Sequence, residues 1–235
     1  MVPVRSDPRR RRSGRWLWIP AAGVSAAVTA AAARRLALVR ATRDEKNSLL
    51  PGNELVDRPT IVATRGIDIA APPEAVWPWV AQLGQERGGF YTYAWLENLV
   101  GCRMVNVDRI NPQWQDVAVG DIVRLHPDLG LRVAVVEPGR TLTLTGDGAV
   151  DRNGEAVADP GYDFSWTFTV TPTPAGCRLL TRERYRARTG PARVMTNLGV
   201  RLSTIMSEGM LRGIRDRAQR AGAAGGIGRR STILT

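Results

Sequence analysis

Cysteine and histidine are almost missing from this chain, and each shortage closes off a class of chemistry. Two cysteines in 235 residues cannot build a disulfide scaffold or a cysteine-ligated zinc finger. A single histidine, His126, excludes a multi-histidine metal site and any mechanism that needs two imidazoles. Of the 33 basic residues only Lys46 is a lysine, a bias of codon usage as much as of guanidinium chemistry. No metal and no cofactor is expected. What the chain does have is enough apolar matter for a core: 43% hydrophobic against 23% charged residues excludes global disorder. The length allows one domain plus an appendage.

The net charge of +11 divides unevenly along the chain. Residues 1–46 carry +8, residues 47–177 carry −7 and residues 178–235 carry +10. An acidic body sits between two basic ends. Residues 1–15 form a basic arm, with Arg9 to Arg12 in a row. Trp16 to Ala33 follows, 18 residues without a charge, near the lower limit for a helix that spans a bilayer. Trp16 and Trp18 stand where interfacial aromatics belong. Eight of the thirteen residues from Ala21 to Ala33 are alanine, so the run is only marginally hydrophobic. Residues 16–39 are therefore expected as a membrane anchor helix, which localises the protein to a membrane by one N-terminal segment. A cleaved signal segment, with Ala31, Ala32 and Ala33 before the cut, is the second reading and implies secretion. A surface helix on a cytoplasmic protein is the third. Basic residues flank the run on both sides, so the side of the membrane is undetermined. The arginine cluster lacks interleaved aromatic or polar readers, and nucleic acid is not expected as a partner.

Residues 40–59, polar and broken by Pro51-Gly52 and Pro59, read as a linker. The folded domain is expected over residues 60–221. Thr60–Ala70 alternates as a first strand, and Pro72-Pro73-Glu74 starts a helix with an apolar stripe of Val76, Trp79, Val80 and Leu83. A glycine-hinged aromatic loop, Gly88 to Tyr93, leads to a short helix over Ala94–Val100. Strands are expected at Ile122–Leu125, Leu131–Val136, Thr141–Thr145, Phe164–Val170 and Cys177–Tyr185. In the fourth of these Phe164, Trp166, Phe168 and Val170 alternate strictly with Ser165, Thr167 and Thr169, so one face is buried. In the last, Arg178, Arg182, Arg184 and Arg186 share a face expected to point to solvent. From Pro191 to about Arg220 the period becomes 3.6, with Val194, Leu198, Leu202, Ile205, Met206, Met210 and Ile214 on one stripe. A Gly-rich tail, residues 222–235, is expected to be disordered. The order strand, two short helices, antiparallel meander, long helix defines an α+β fold. A bent sheet wraps the long helix, and the gap between them is the default ligand site.

The residues also resemble a known superfamily. Ala71-Pro72-Pro73-Glu74-Ala75-Val76-Trp77-Pro78-Trp79-Val80 is similar to the opening of SRPBCC proteins, the START and birch-pollen-allergen-like helix-grip fold. Gln82 to Tyr91 and Trp95-Leu96-Glu97-Asn98 continue the likeness, which covers about residues 60–220 and points to a bacterial polyketide cyclase/dehydrase-like branch. The resemblance implies a helix-grip fold and a hydrophobic ligand. It carries no catalytic residue across, because lipid carriers, cyclases and receptors share the fold.

Candidate chemistry is thin. His126, beside Pro127 and Asp128, and Arg124 are the weak catalytic candidates. Cys102 and Cys177 read as small buried hydrophobes, and the acidic loop from Asp147 to Asp163 does not have calcium-loop spacing. Trp79, Tyr91, Tyr93, Trp95, Trp166, Leu198 and Leu202 are the expected ligand-binding set, with Tyr91 and Tyr93 as a lid on the Gly88-Gly89 hinge. The leading expectation is a binding or carrier protein for a hydrophobic small molecule or lipid. The alternatives are a cyclase/dehydratase-type enzyme acting on a polyketide-like or aromatic substrate, and a membrane-tethered structural or regulatory protein with a closed core.

Overall fold

Six antiparallel strands form one sheet in the order β1-β6-β5-β4-β3-β2. The computed structural model describes residues 39–93, 98, 101 and 103–230, with side chains as far as residue 221. The strands are β1 (Ile61–Ile69), β2 (Ile122–His126), β3 (Leu129–Glu137), β4 (Thr141–Val150), β5 (Tyr162–Thr173) and β6 (Gly176–Ala187). From β2 to β6 each strand pairs with the next as a meander, and β1 closes on β6. Helix α1 (Arg43–Asn47) precedes the sheet, α2 (Pro73–Ala81) follows β1, and α3 (Gly190–Arg230) ends the described chain. The expected short helix at residues 94–100 lies almost wholly outside the described residues, as does the apolar run at residues 16–33. Among the described residues no helix is long and apolar enough to cross a membrane.

The alternation in β5 sets the two faces of the sheet. Phe164, Trp166 and Phe168 pair with Tyr185, Glu183 and Thr181 on the concave face. Ser165 and Thr167 pair with Arg184 and Arg182 on the convex face. The concave face carries the core: Ile67, Ile69, Leu142, Leu144, Phe168, Val170 and Leu179 pack against Val76, Val80 and Leu83 and against Met210, Leu211 and Ile214 of α3.

The convex face is where the expectations fail. Arg182 is only 1% exposed, and Ser165 and Thr167 are buried too. They are covered by residues 40–56, the stretch expected as a linker, and Val39 begins the compact unit. Thr42 caps α1 through a capping box with Glu45. Arg182 donates to the Ser48 carbonyl at 2.7 Å and to Thr64 Oγ1 at 3.0 Å. Arg178 pairs with Glu45 at 2.8 Å, and Arg184 donates to the Val56 carbonyl at 3.1 Å. Thr143 and Thr167 donate to the Pro51 carbonyl at 3.1 and 3.2 Å. Guanidinium groups carry five donors each, so a row of them satisfies the free carbonyls of an irregular segment and straps it to the sheet. Arg178, Arg182 and Arg184 face protein rather than water for that reason, whereas Arg186 at the end of the row is exposed as expected.

The tail also departs from expectation, since α3 keeps its helical backbone through the Gly-rich stretch to Arg230. Ala221, Ala223 and Ala224 extend a helix that is already nucleated, which needs no new initiation.

Candidate ligand cavity

The stripe of apolar residues read along α3 does not all face the sheet. Met210 and Ile214 are buried, but Val194, Met195, Leu198, Leu202 and Ile205 are exposed. The positions turned inward in the first half of the helix are Ala192 and Thr196, then Ser203 and Ser207, at helical spacing. Small side chains there leave space that large ones would fill. The result is a cavity of about 380 Å³ between β5, β6 and α3, within the ~300–1,000 Å³ range of small-molecule sites.

Its walls are aromatic and aliphatic. Phe90, Phe164, Trp166, Tyr185, Leu125, Leu202, Met206 and Met210 line it, with Thr92 and Gly199. Phe90 stacks on Trp166 at 5.8 Å between ring centroids, and Phe168 packs against the same indole, tilted, at 4.8 Å. The indole N–H of Trp166 donates to Thr181 Oγ1 at 2.7 Å, so the ring presents an apolar face with its polar edge satisfied. Leu202, 49% exposed, carries the wall out to solvent.

One corner is polar. Glu183, buried on the concave face of β6, pairs with Arg65 of β1 at 2.8 Å. Ser207 Oγ donates to Glu183 Oε1 and Tyr185 OH to Oε2, each at 3.0 Å, and Ser203 Oγ reaches both oxygens. Arg65 also donates to Thr204 Oγ1 at 2.7 Å. Burial first, then the charge and hydrogen bond of Glu183, hold the Tyr185 phenol far above its usual pKa, so it stays protonated.

Of the residues expected to bind ligand, the structure brings Trp166 and Leu202 to the cavity. Leu198 lies on the exposed side of α3. Trp79 and Tyr91 belong to the core, their rings edge to face at 5.6 Å. The lid reading of Tyr91 is corrected by its neighbours. Its backbone N–H donates to Asn106 Oδ1 at 2.7 Å, and the Arg217 guanidinium lies 4.7 Å from its ring centroid. Gly213 of α3 lets the Tyr91 carbonyl approach so closely that a Cβ would stand 2.0 Å from it. This loop is clamped, and Gly89, at φ +78°, serves its turn. Tyr93 is half-buried beside Gly209 of α3. Trp95 lies outside the described residues.

The weak catalytic candidates do not line the cavity. Arg124 donates to the Asp151 carbonyl at 3.0 Å, and the His126 ring accepts from the Asp128 backbone N–H at 3.1 Å. Both sit at the bulged edge where β2 leaves register with β3. Cys177 is buried, and burial pushes its thiol up to about 11. Among the described residues no cluster of three metal-ligating side chains occurs. Glu183, Ser203 and Ser207 were passed over in the sequence. The signal was available: Glu183 falls in the inward phase of β6, with Cys177, Leu179 and Thr181, where a charge is out of place.

A curved antiparallel sheet gripping one long helix, with an apolar cavity between them, defines a helix-grip protein. The family described as "Polyketide cyclase / dehydrase and lipid transport" matches residues 60–219, and the chain belongs to it. No curated protein matches the chain. Among solved structures, a protein of Mesorhizobium loti is similar at 20% identity and a TM-score of 0.41, covering 68% of this chain and 98% of that one. A point mutant of norcoclaurine synthase from Thalictrum flavum is similar at 14% identity and a TM-score of 0.42, covering 69% and 96%. A polyketide-cyclase-like protein of Corynebacterium glutamicum is similar at 17% identity and a TM-score of 0.37, covering 66% and 88%.

Proposed function

We propose that the protein is a binding or carrier protein for a hydrophobic small molecule or lipid, held between β5, β6 and the first half of α3. The observation that carries the reading is the cavity itself: its walls are Phe90, Phe164, Trp166 and Met206, and its polar side chains are the Glu183 corner and Thr92. The family description, which includes lipid transport, supports the same reading. An open cavity argues against a closed-core structural protein. The apolar run at residues 16–33 is the segment through which a carrier of this kind would be held at a membrane.

A second reading, a cyclase/dehydratase-type enzyme, draws on the same corner, because Glu183 and Tyr185 are ionisable and line the cavity. Neither is poised as a base. Glu183 is saturated by Arg65 and three hydroxyls, and the Tyr185 phenol is held protonated. Such an enzyme would therefore work by orienting a substrate and donating hydrogen bonds.

Native mass spectrometry of the purified full chain, followed by extraction of any released compound, tests the proposal. An apolar compound that accompanies the protein and returns from the mixture unchanged supports a carrier. A compound converted on incubation supports the enzyme. Protein that neither retains nor binds any apolar compound overturns both.

A further inference from the structure

We propose that the polar corner at Glu183 selects ligands that carry a neutral hydrogen-bond donor, such as a hydroxyl on an apolar body, over acceptor-only analogues. The inference rests on the binding reading above and names the ligand chemistry of that same cavity. Glu183 is paired with Arg65, so it is ionised, and an ionised carboxylate only accepts. Tyr185, Ser203 and Ser207 must each spend their single proton on it. Glu183 thus receives four donors, from Arg65, Ser207, Tyr185 and Ser203, the last within reach of both oxygens, and these fill the roughly four lone-pair sites of a carboxylate and leave none for a ligand.

What remains to face the cavity at this corner is the oxygen lone pairs of the three hydroxyls; Thr92 Oγ1, the other hydroxyl of the lining, is buried without a partner and can accept as well as donate, so it favours neither kind of ligand. The three accept and cannot donate while the carboxylate holds their protons. A ketone or ether oxygen placed there would meet only lone pairs, and a buried acceptor without a donor loses its hydration uncompensated. A hydroxyl would find an acceptor at once. The Arg65 charge cancels that of Glu183, so the corner has no net charge with which to recruit a cation. The complement is thus a neutral donor at one end of an apolar ligand whose body lies against Phe90 and Trp166.

Calorimetric titration of the full chain with 2-naphthol, 2-methoxynaphthalene and 2-acetylnaphthalene tests this. The three share a ring system, and the latter two can only accept. The naphthol is expected to bind about tenfold tighter than either, the value of one hydrogen bond, against the hydrophobic trend that favours the methyl ether. In Glu183→Gln, and separately in Arg65→Met/Glu183→Leu, the hydroxyls of the corner regain protons to donate, so that ratio should shrink as the methyl ether and the ketone gain affinity. Equal binding of all three probes by wild type overturns the inference and leaves the apolar binding reading standing. So does a preference that survives in both variants. Tighter binding of the ketone reverses the inference outright. No binding of any of the three overturns the binding reading itself.

Discussion

Trp166 and Glu183 stand directly opposite each other across the β5–β6 ladder, and both line the cavity. The largest apolar surface of the site and its one buried carboxylate are thus cross-strand neighbours, fixed by register. A slip of one residue would turn both toward the convex face and the strap. The pairing places a flat aromatic wall beside a saturated polar corner.

Trp166→Ala should destabilise the protein by about 2–4 kcal/mol, somewhat less than truncation of a fully enclosed aromatic, because one face of the ring already meets the cavity. Urea unfolding measures the loss. The same variant should weaken 2-naphthol binding, since the wall against Phe90 is removed. A loss below about 1 kcal/mol would place the ring outside the packed wall.

Tyr91→Ala should cost about 3–4 kcal/mol and change probe affinity little, because the ring packs on Trp79 and under Arg217 rather than at the cavity. Thermal unfolding and calorimetry together decide. Weakened probe binding with stability intact would restore the lid.

A chain that begins at Val39 should unfold at the same temperature as the full chain. A chain that begins at Arg58 should lose about 2–4 kcal/mol, since the convex face then loses the charge-assisted bonds to Arg182 and Arg178 and the burial of Val56. Equal stability of the two would show residues 40–57 to be a linker after all.

Burial pushes the Glu45 carboxyl up, but the hydrogen bonds and charge of Arg178, with Thr42, outweigh it and hold the group below its ordinary value of 4.5. A depressed carboxyl contributes stability above its unfolded pKa and loses it as the pH falls through the folded one. Wild type should therefore lose stability below about pH 4.5 more steeply than Glu45→Gln, as read by unfolding midpoints between pH 6 and 3. Parallel curves would contradict the strap pairing.

Much of the fold could be read from periodicity. Phe164 to Val170 announced a strand with one inward face, and the 3.6-residue stripe through Met210 and Ile214 announced the long helix. What periodicity hides is a position whose role depends on a distant partner. Arg182 looks like a solvent-facing charge until residues 45–48 bring carbonyls to it. Ser203 and Ser207 look like the polar side of an amphipathic helix, yet they face the sheet because Glu183 waits there. The cavity follows from that inversion, since an apolar stripe pointing inward would have filled it. Tyr91 misled for a related reason: glycines beside aromatics suit a hinge, but here Gly213 on another element accepts the loop in close contact.

The central claim is that the space between β5, β6 and α3 is a ligand site, and Gly199 offers the most direct test of it. Gly199 lines the cavity, and a Cβ built there meets nothing within 4 Å, so a larger side chain enters without strain. Replacing a helical glycine also favours the helix. Calorimetric titration of 2-naphthol into wild type and into Gly199→Phe should give saturable binding to the first and at least tenfold weaker binding to the second, with an unfolding temperature at or above wild type. Equal affinity in the two proteins, or no binding to wild type, would contradict the account.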